Sequence, residues 1–169
     1  MTSFRQSLAC LFGVVAIAAA GQAESTAPQS SRSQAAIEAS WQTDFPAALE
    51  QAKTQGRQVL LNFTGSDWCH WCHRLRDEVF QQKSFVEYAR SNLLLVELDF
   101  PRASSQPEAE RQRNQALAKH FGVTGYPTII LVNGDGHELG RTGYMQGGPK
   151  TFVRELKRFA AKPAPAPKS

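Results

Sequence analysis

The chain has 169 residues, 41% of them hydrophobic and 20% charged, with a formal net charge of +4. That charge is mild, and no run of Lys and Arg interleaved with aromatic residues accompanies it, which excludes a nucleic-acid groove and favours simple solubility. Three cysteines are present, Cys10, Cys69 and Cys72.

Residues 1–23 carry one positive charge, Arg5, and no acid. An apolar run follows from Leu8 to Ala20, then Gly21, Gln22 and Ala23. Charge, short apolar run and small-residue exit together predict a signal peptide cleaved after Ala23. The alternative is an uncleaved anchor, but the run falls short of the about 20 apolar residues that span a bilayer. Cleavage removes Cys10 and Arg5, so the mature chain keeps Cys69 and Cys72 and a net charge of +3. The expected compartment is then periplasmic or extracellular, where disulfides persist, with no membrane attachment after cleavage. Residues 24–40 read as a flexible leader, residues 41–160 as one domain of ordinary size, and residues 161–169, rich in Pro and Ala, as an extended tail. There is no internal repeat.

Within the domain, Asp44 is placed to cap a helix with Pro46 in its first turn; Phe45, Ala48, Leu49 and Ala52 share a face, and Gly56 ends it. Gln58–Thr64 is a short, nearly all-apolar run, as expected of a strand covered on both faces. After Gly65 and Ser66 comes Asp67-Trp68-Cys69-His70-Trp71-Cys72-His73, then a helical pattern through Leu75, Val79 and Val86. Ser84 with Glu87 suggests a second helical piece and a break near Gln82–Lys83. Leu93–Phe100 is a second buried strand. Pro107 opens a polar helix in which only Ala116, Leu117 and Phe121 look buried, and Gly122 stops it. Pro127–Asn133 is a third strand, turned by Gly134-Asp135-Gly136 into a shorter partner. A last helix starts at Pro149 and buries Phe152, Leu156 and Phe159. The order α-β-α-β-α-β-β-α predicts an α/β three-layer sandwich: a mixed central sheet with helices on both faces.

The Asp67–His73 segment allows three chemistries. Cys69 and Cys72 suit a redox dithiol; Cys69, Cys72 and His73 form C-x-x-C-H, the pattern of covalent c-type haem attachment; and the same side chains could ligate a metal. Its place between a buried strand and a helix is where open α/β sheets put their sites. A thiol at a helix N-terminus meets unpaired N–H groups that favour thiolate, the nucleophile. Spacing i, i+3 brings both sulfurs onto one face, so Cys69 would attack a substrate disulfide and Cys72 would resolve the mixed disulfide. Haem fits less well, because the three strands differ from the all-helical haem-c proteins of this size and Met145 is the sole methionine of the mature chain. A closed zinc site needs a fourth ligand, for which only His120 and His137 remain. The expectation is therefore no cofactor and no metal. The alternatives are a haem or metal carrier, or a binding module whose dithiol is incidental.

From Trp41 to Ala160 the chain resembles the thioredoxin superfamily. Trp68–Cys72 matches its W-C-x-x-C motif, and Val123–Tyr144 matches the stretch that carries a cis-proline and a final hairpin. More narrowly, it is similar to secreted bacterial thioredoxin-like proteins with a W-C-x-W-C motif. The resemblance implies a thiol–disulfide oxidoreductase with Cys69 as attacking and Cys72 as resolving cysteine. It implies substrate contacts from Trp68, His70, Trp71, Tyr126 and Pro127, with Pro127 following a cis peptide bond. Implied partners are protein thiols and disulfides and a further redox protein, met by a monomer. His70-Trp71 between the cysteines leaves the direction of exchange open. The family also places a buried carboxylate on the strand before the motif; here that position is Asn62, which does not titrate, and Asp67 and Asp99 are the candidate substitutes.

Overall fold

The computed structural model describes residues 39–161. The expected signal peptide, nearly all of the expected leader and all but the first residue of the expected tail lie outside the described residues. The elements run β1 Trp41–Gln42, α1 Phe45–Gln55, β2 Gln58–Thr64, α2 His70–Leu75, a π-helical turn Arg76–Phe80, α3 Lys83–Asn92, β3 Leu93–Asp99, α4 Glu108–His120, β4 Thr128–Val132, β5 Glu138–Thr142 and α5 Gly148–Ala160. The five strands lie in the order β1-β3-β2-β4-β5. β3 is parallel to both β1 and β2, whereas β4 is antiparallel to β2 and to β5. The sheet is therefore mixed, with helices on both faces, as expected. β4 departs from the rule that strands separated by a helix run parallel.

Why these residues form these elements is mostly local. The Asp44 carboxylate accepts from Ala47 N–H at 3.0 Å, Pro46 lies in the first turn, and Gly56 closes α1 in the left-handed region, which it enters without a Cβ clash. β2, β3 and β4 are mostly apolar because both faces are covered, with Asn62 and Glu97 as polar exceptions. Alternation still sorts their side chains. Leu60, Leu93, Leu95, Ile129 and Leu131 join Leu75, Val79, Phe80, Phe85, Phe152 and Leu156 beneath α2, α3 and α5. Val59, Leu61, Phe63, Leu94, Val96, Leu98, Ile130 and Val132 join Phe45, Ala48, Ala52 and Phe121 beneath α1 and α4.

Four local features differ from the expectation or add to it. β1, only two residues long, pairs with β3 through Trp41 opposite Leu95 and Gln42 opposite Val96. The helix after the motif breaks near Gln82 as expected, but Gln82 rather than Ser84 is the N-cap of α3. A π turn precedes that break. In α4, Ala116 is exposed and Leu117 half-buried, while Asn114 is 1% exposed, its Nδ2 donating to Asp99 O at 3.0 Å.

The segment between β3 and α4 is pinned from the motif side. Asp67 accepts from the backbone N–H of Arg102 at 3.0 Å, of Ala103 at 2.7 Å and of Ser104 at 2.9 Å. These N–H groups, with Arg102 first, hold its carboxyl down to about 2 from an ordinary 3.8. Asp67 is thus a loop acid that holds its charge.

Two predictions follow from this frame. Gly140 in β5 faces α5, and an added Cβ would overlap the Phe159 ring. Gly140→Ala is expected to cost about 1–3 kcal/mol by overpacking, read as a lower urea midpoint with unchanged slope. A carboxylate depressed in the folded state stabilises above its unfolded pKa and loses that contribution as pH falls through its folded pKa. The contribution of Asp67 is therefore complete above pH 3.8 and is lost as pH falls toward 2. Asp67→Asn should flatten the stability profile in that window and speed amide exchange at Ala103 and Ser104.

Candidate active site

β2 ends at Thr64, and the chain must turn sharply before α2 can start. Three groups hold the turn. Asp99, at the end of β3, accepts from Ser66 N–H at 2.8 Å and Ser66 Oγ at 2.6 Å. Trp68 folds its indole over Gly65, where a Cβ would lie 2.5 Å from Cε2, and donates from Nε1 to Phe100 O at 2.8 Å. Cys69 N–H donates to Gly65 O at 3.0 Å. Gly65 is thus required by close approach. Asp99, one of the two acids weighed as a proton carrier, is occupied with backbone and hydroxyl donors, as Asp67 is.

Cys69 caps α2. Its Sγ accepts from Cys72 N–H at 3.3 Å, and its carbonyl accepts from Cys72 and His73 N–H. One turn on, Cys72 Sγ is bonded to Cys69 Sγ in a disulfide with the two Cα atoms 5.2 Å apart. The spacing thus brings the sulfurs together as the sequence requires. The two cysteines are equally buried in the oxidised pair, each 5% exposed. What separates them is orientation: Cys72 lines a cavity on the α2 side of the sheet, whose lining does not include Cys69.

The other expected site residues divide into two groups. Trp68 and Tyr126 meet edge to face with ring centroids 5.6 Å apart, so the loop before β4 lies against the motif. The Tyr126–Pro127 peptide bond is cis. Tyr126 also packs on Phe100, and the Arg102 guanidinium stacks 3.6 Å over the Trp68 ring. His70 and Trp71 instead face outward, and Trp71, at 49%, is the exposed large hydrophobic side chain among the described residues. Its ring lies 5.0 Å from that of Tyr144, with the Arg74 guanidinium over both. Arg74 and the Tyr144 hydroxyl converge on Glu78, which holds the Glu78 carboxyl below its ordinary range, the Tyr144 hydrogen bond contributing most. Tyr144 and Arg74 were not singled out from sequence, because only the fold brings the segment after β5 to α2.

His73 Nε2 lies 2.7 Å from Ser66 O, so that ring nitrogen is engaged with the turn. With the sulfurs bonded to each other, Cys69, Cys72 and His73 do not form a ligand set. Among the described residues no group of three or more His, Cys, Asp or Glu side chains is placed to hold a metal ion.

One residue missed in the sequence is Glu97. On β3 it stands directly opposite Asn62 of β2, and Asn62 Nδ2 donates to Glu97 Oε2 at 3.3 Å. Burial, and after it the neighbouring Asp99, pushes the Glu97 carboxyl up from its ordinary range. The signal was available: Glu97 is an acid inside the apolar run Leu93–Leu98, at the same parity as Leu93 and Leu95, which face α2 and α3.

Comparison with known proteins agrees with this geometry. Residues 45–160 match the thioredoxin-like domain family. Disulfide bond reductase DsbH of Chlamydia pneumoniae is 38% identical over 129 residues, which span 76% of this chain and 77% of that protein. Thiol:disulfide interchange protein DsbD of Haemophilus ducreyi is 32% identical over 93 residues, 54% of this chain but only 15% of that much longer protein. The structure of a DsbH oxidoreductase superposes with a TM-score of 0.70 at 37% identity, covering 79% of this chain and 92% of that one. A dithiol at a strand–helix turn, the sheet order around it and a match over nearly the whole described domain agree: the chain belongs to the thioredoxin-like domain family.

Proposed function

We propose that the chain is an extracytoplasmic thiol–disulfide oxidoreductase that works as a reductant of protein disulfides, with Cys69 as nucleophile and Cys72 as resolving cysteine. The observation that carries it is the Cys69–Cys72 disulfide at the N-terminus of α2. The reductive direction is supported by the relative named a disulfide bond reductase. It is also supported by Glu97: a carboxylate in the cavity that Cys72 lines disfavours a second negative charge there, and so favours the disulfide over the thiolate form. Location outside the cytoplasm rests on the signal-like residues 1–23 and on the persistence of disulfides there. Among the described residues, no helix is long and apolar enough to cross a membrane.

In the reaction, Cys69 thiolate attacks one sulfur of a substrate disulfide. A mixed disulfide forms, and the other substrate sulfur leaves as thiolate and takes a proton from solvent. Cys72 then loses its proton and attacks Cys69 Sγ. The enzyme disulfide forms, the mixed disulfide breaks, and the second substrate sulfur leaves. Two electrons pass to the substrate, and a further dithiol protein restores the enzyme. Trp68, Tyr126 and Pro127 offer one wall for an extended substrate, and His70 and Trp71 the other.

The division of labour is tested by trapping. Cys69→Ser should abolish turnover of insulin disulfides and trap nothing. Cys72→Ser should accumulate a mixed disulfide with the substrate, visible on a non-reducing gel. Trapping by Cys69→Ser alone would reverse the roles, and full activity in both variants would remove the dithiol from the reaction.

A further inference from the structure

Cys72 must give up a proton in the resolving step, yet it is 5% exposed and does not face bulk water freely. It lines a cavity of about 550 Å³ together with Trp41, Asn62, His73, Arg76 and Glu97. Glu97 and Asn62 are adjacent on neighbouring strands and both point toward the α2 layer. Asn62 is 5% exposed, and its Oδ1 has no hydrogen-bond partner among the described residues.

We propose that Glu97 is the proton acceptor for Cys72, acting through the cavity they share and tuned by Asn62. This rests on the thiol-exchange reading and deepens it. In the resolving step the Cys72 thiol passes its proton to the Glu97 carboxylate, directly or through cavity water. Cys72 Sγ bonds to Cys69 Sγ, and the substrate thiolate departs. Glu97 then returns the proton to solvent or to the departing thiolate. In the reverse direction, attack on Cys69 releases Cys72 thiolate, which Glu97 in its acid form reprotonates.

Three features fit Glu97 to this task. Burial raises its proton affinity toward that of a thiol, which improves the transfer. The charged and titratable groups around it work in opposite directions: Asp99 on β3 raises its proton affinity further, and Arg76 across the cavity keeps the carboxylate accessible. His73 and Cys72 of α2 complete the set, with His73 Nε2 turned to Ser66 O. Asn62 serves both protonation states, since its amide donates from Nδ2 to the carboxylate and, once rotated, accepts from the acid at Oδ1. An aspartate in its place would add a like charge; the amide solvates the proton carrier instead.

The test separates the two thiol steps with 5,5′-dithiobis(2-nitrobenzoate) and the reduced protein. Attack by Cys69 releases one nitrothiobenzoate, and attack by Cys72 on the adduct releases the second. Glu97→Gln, which keeps the size and the contact with Asn62, should leave the first phase unchanged. It should slow the second about 10²-fold at pH 7, the lower end of the range for general acid–base catalysis. The wild-type second phase should show an inflection above the ordinary glutamate range. That inflection should vanish in Glu97→Gln and return, with part of the rate, in Glu97→Asp. A second phase unchanged in rate and pH profile in Glu97→Gln, or both phases slowed alike, overturns the proposal while thiol exchange stands. A wild-type protein that releases no second nitrothiobenzoate overturns both.

Discussion

The turn between β2 and α2 is the constraint on which the site depends. A strand buried on both faces ends there, a helix begins after only five intervening residues, and the sulfur that caps the helix must stay within reach of the sulfur one turn on. Such a turn leaves backbone N–H groups without helical partners. Asp99 takes the N–H of Ser66, Cys69 Sγ takes that of Cys72, and the Gly65 carbonyl takes that of Cys69. The Trp68 indole lies in the space that the absent Gly65 side chain leaves open. Reach of the two sulfurs is thus a consequence of how the turn is solvated by its own neighbours.

The acids near the dithiol divide by environment rather than by distance along the chain. Asp67 and Asp99 both accept from backbone N–H groups and so hold the loops around the motif, and those N–H groups keep Asp67 charged. Glu97 lies two strand positions before Asp99, yet it faces the cavity beside the Asn62 amide and is destabilised as a carboxylate. Two carboxylates solvate backbone and a third lines a cavity with Cys72, so the same side-chain chemistry meets two different environments. The position where the resemblance implies an acid holds Asn62, and Glu97 stands opposite it on β3. The pair keeps one carboxyl in the cavity without placing two there.

Much of this was legible in the sequence. The runs at 58–64, 93–99 and 128–132 are mostly apolar because both of their faces are covered, and Asp44, Pro46 and Gly56 mark the ends of α1 through their own backbone requirements. The two cysteines were legible because their spacing and place need no tertiary information. What escaped depends on long-range pairing. The direction of β4 is set by its register with β2, Phe63 opposite Thr128, and not by the helix before it. Asn114 is buried in a polar helix because Asp99 O accepts its amide fifteen positions away. The π turn at Arg76–Phe80 has a period that a 3.6-residue pattern does not resolve. Glu97 becomes meaningful only when β2 and β3 are aligned and both parities are assigned.

The central claim is a reversible dithiol poised to reduce. Its most direct test is the equilibrium reduction potential of the Cys69–Cys72 pair, measured against glutathione or thioredoxin. A value near thioredoxin's, about −270 mV, is what the account predicts. A value near about −120 mV, that of a strong oxidant, or no redox equilibrium at all, would contradict it.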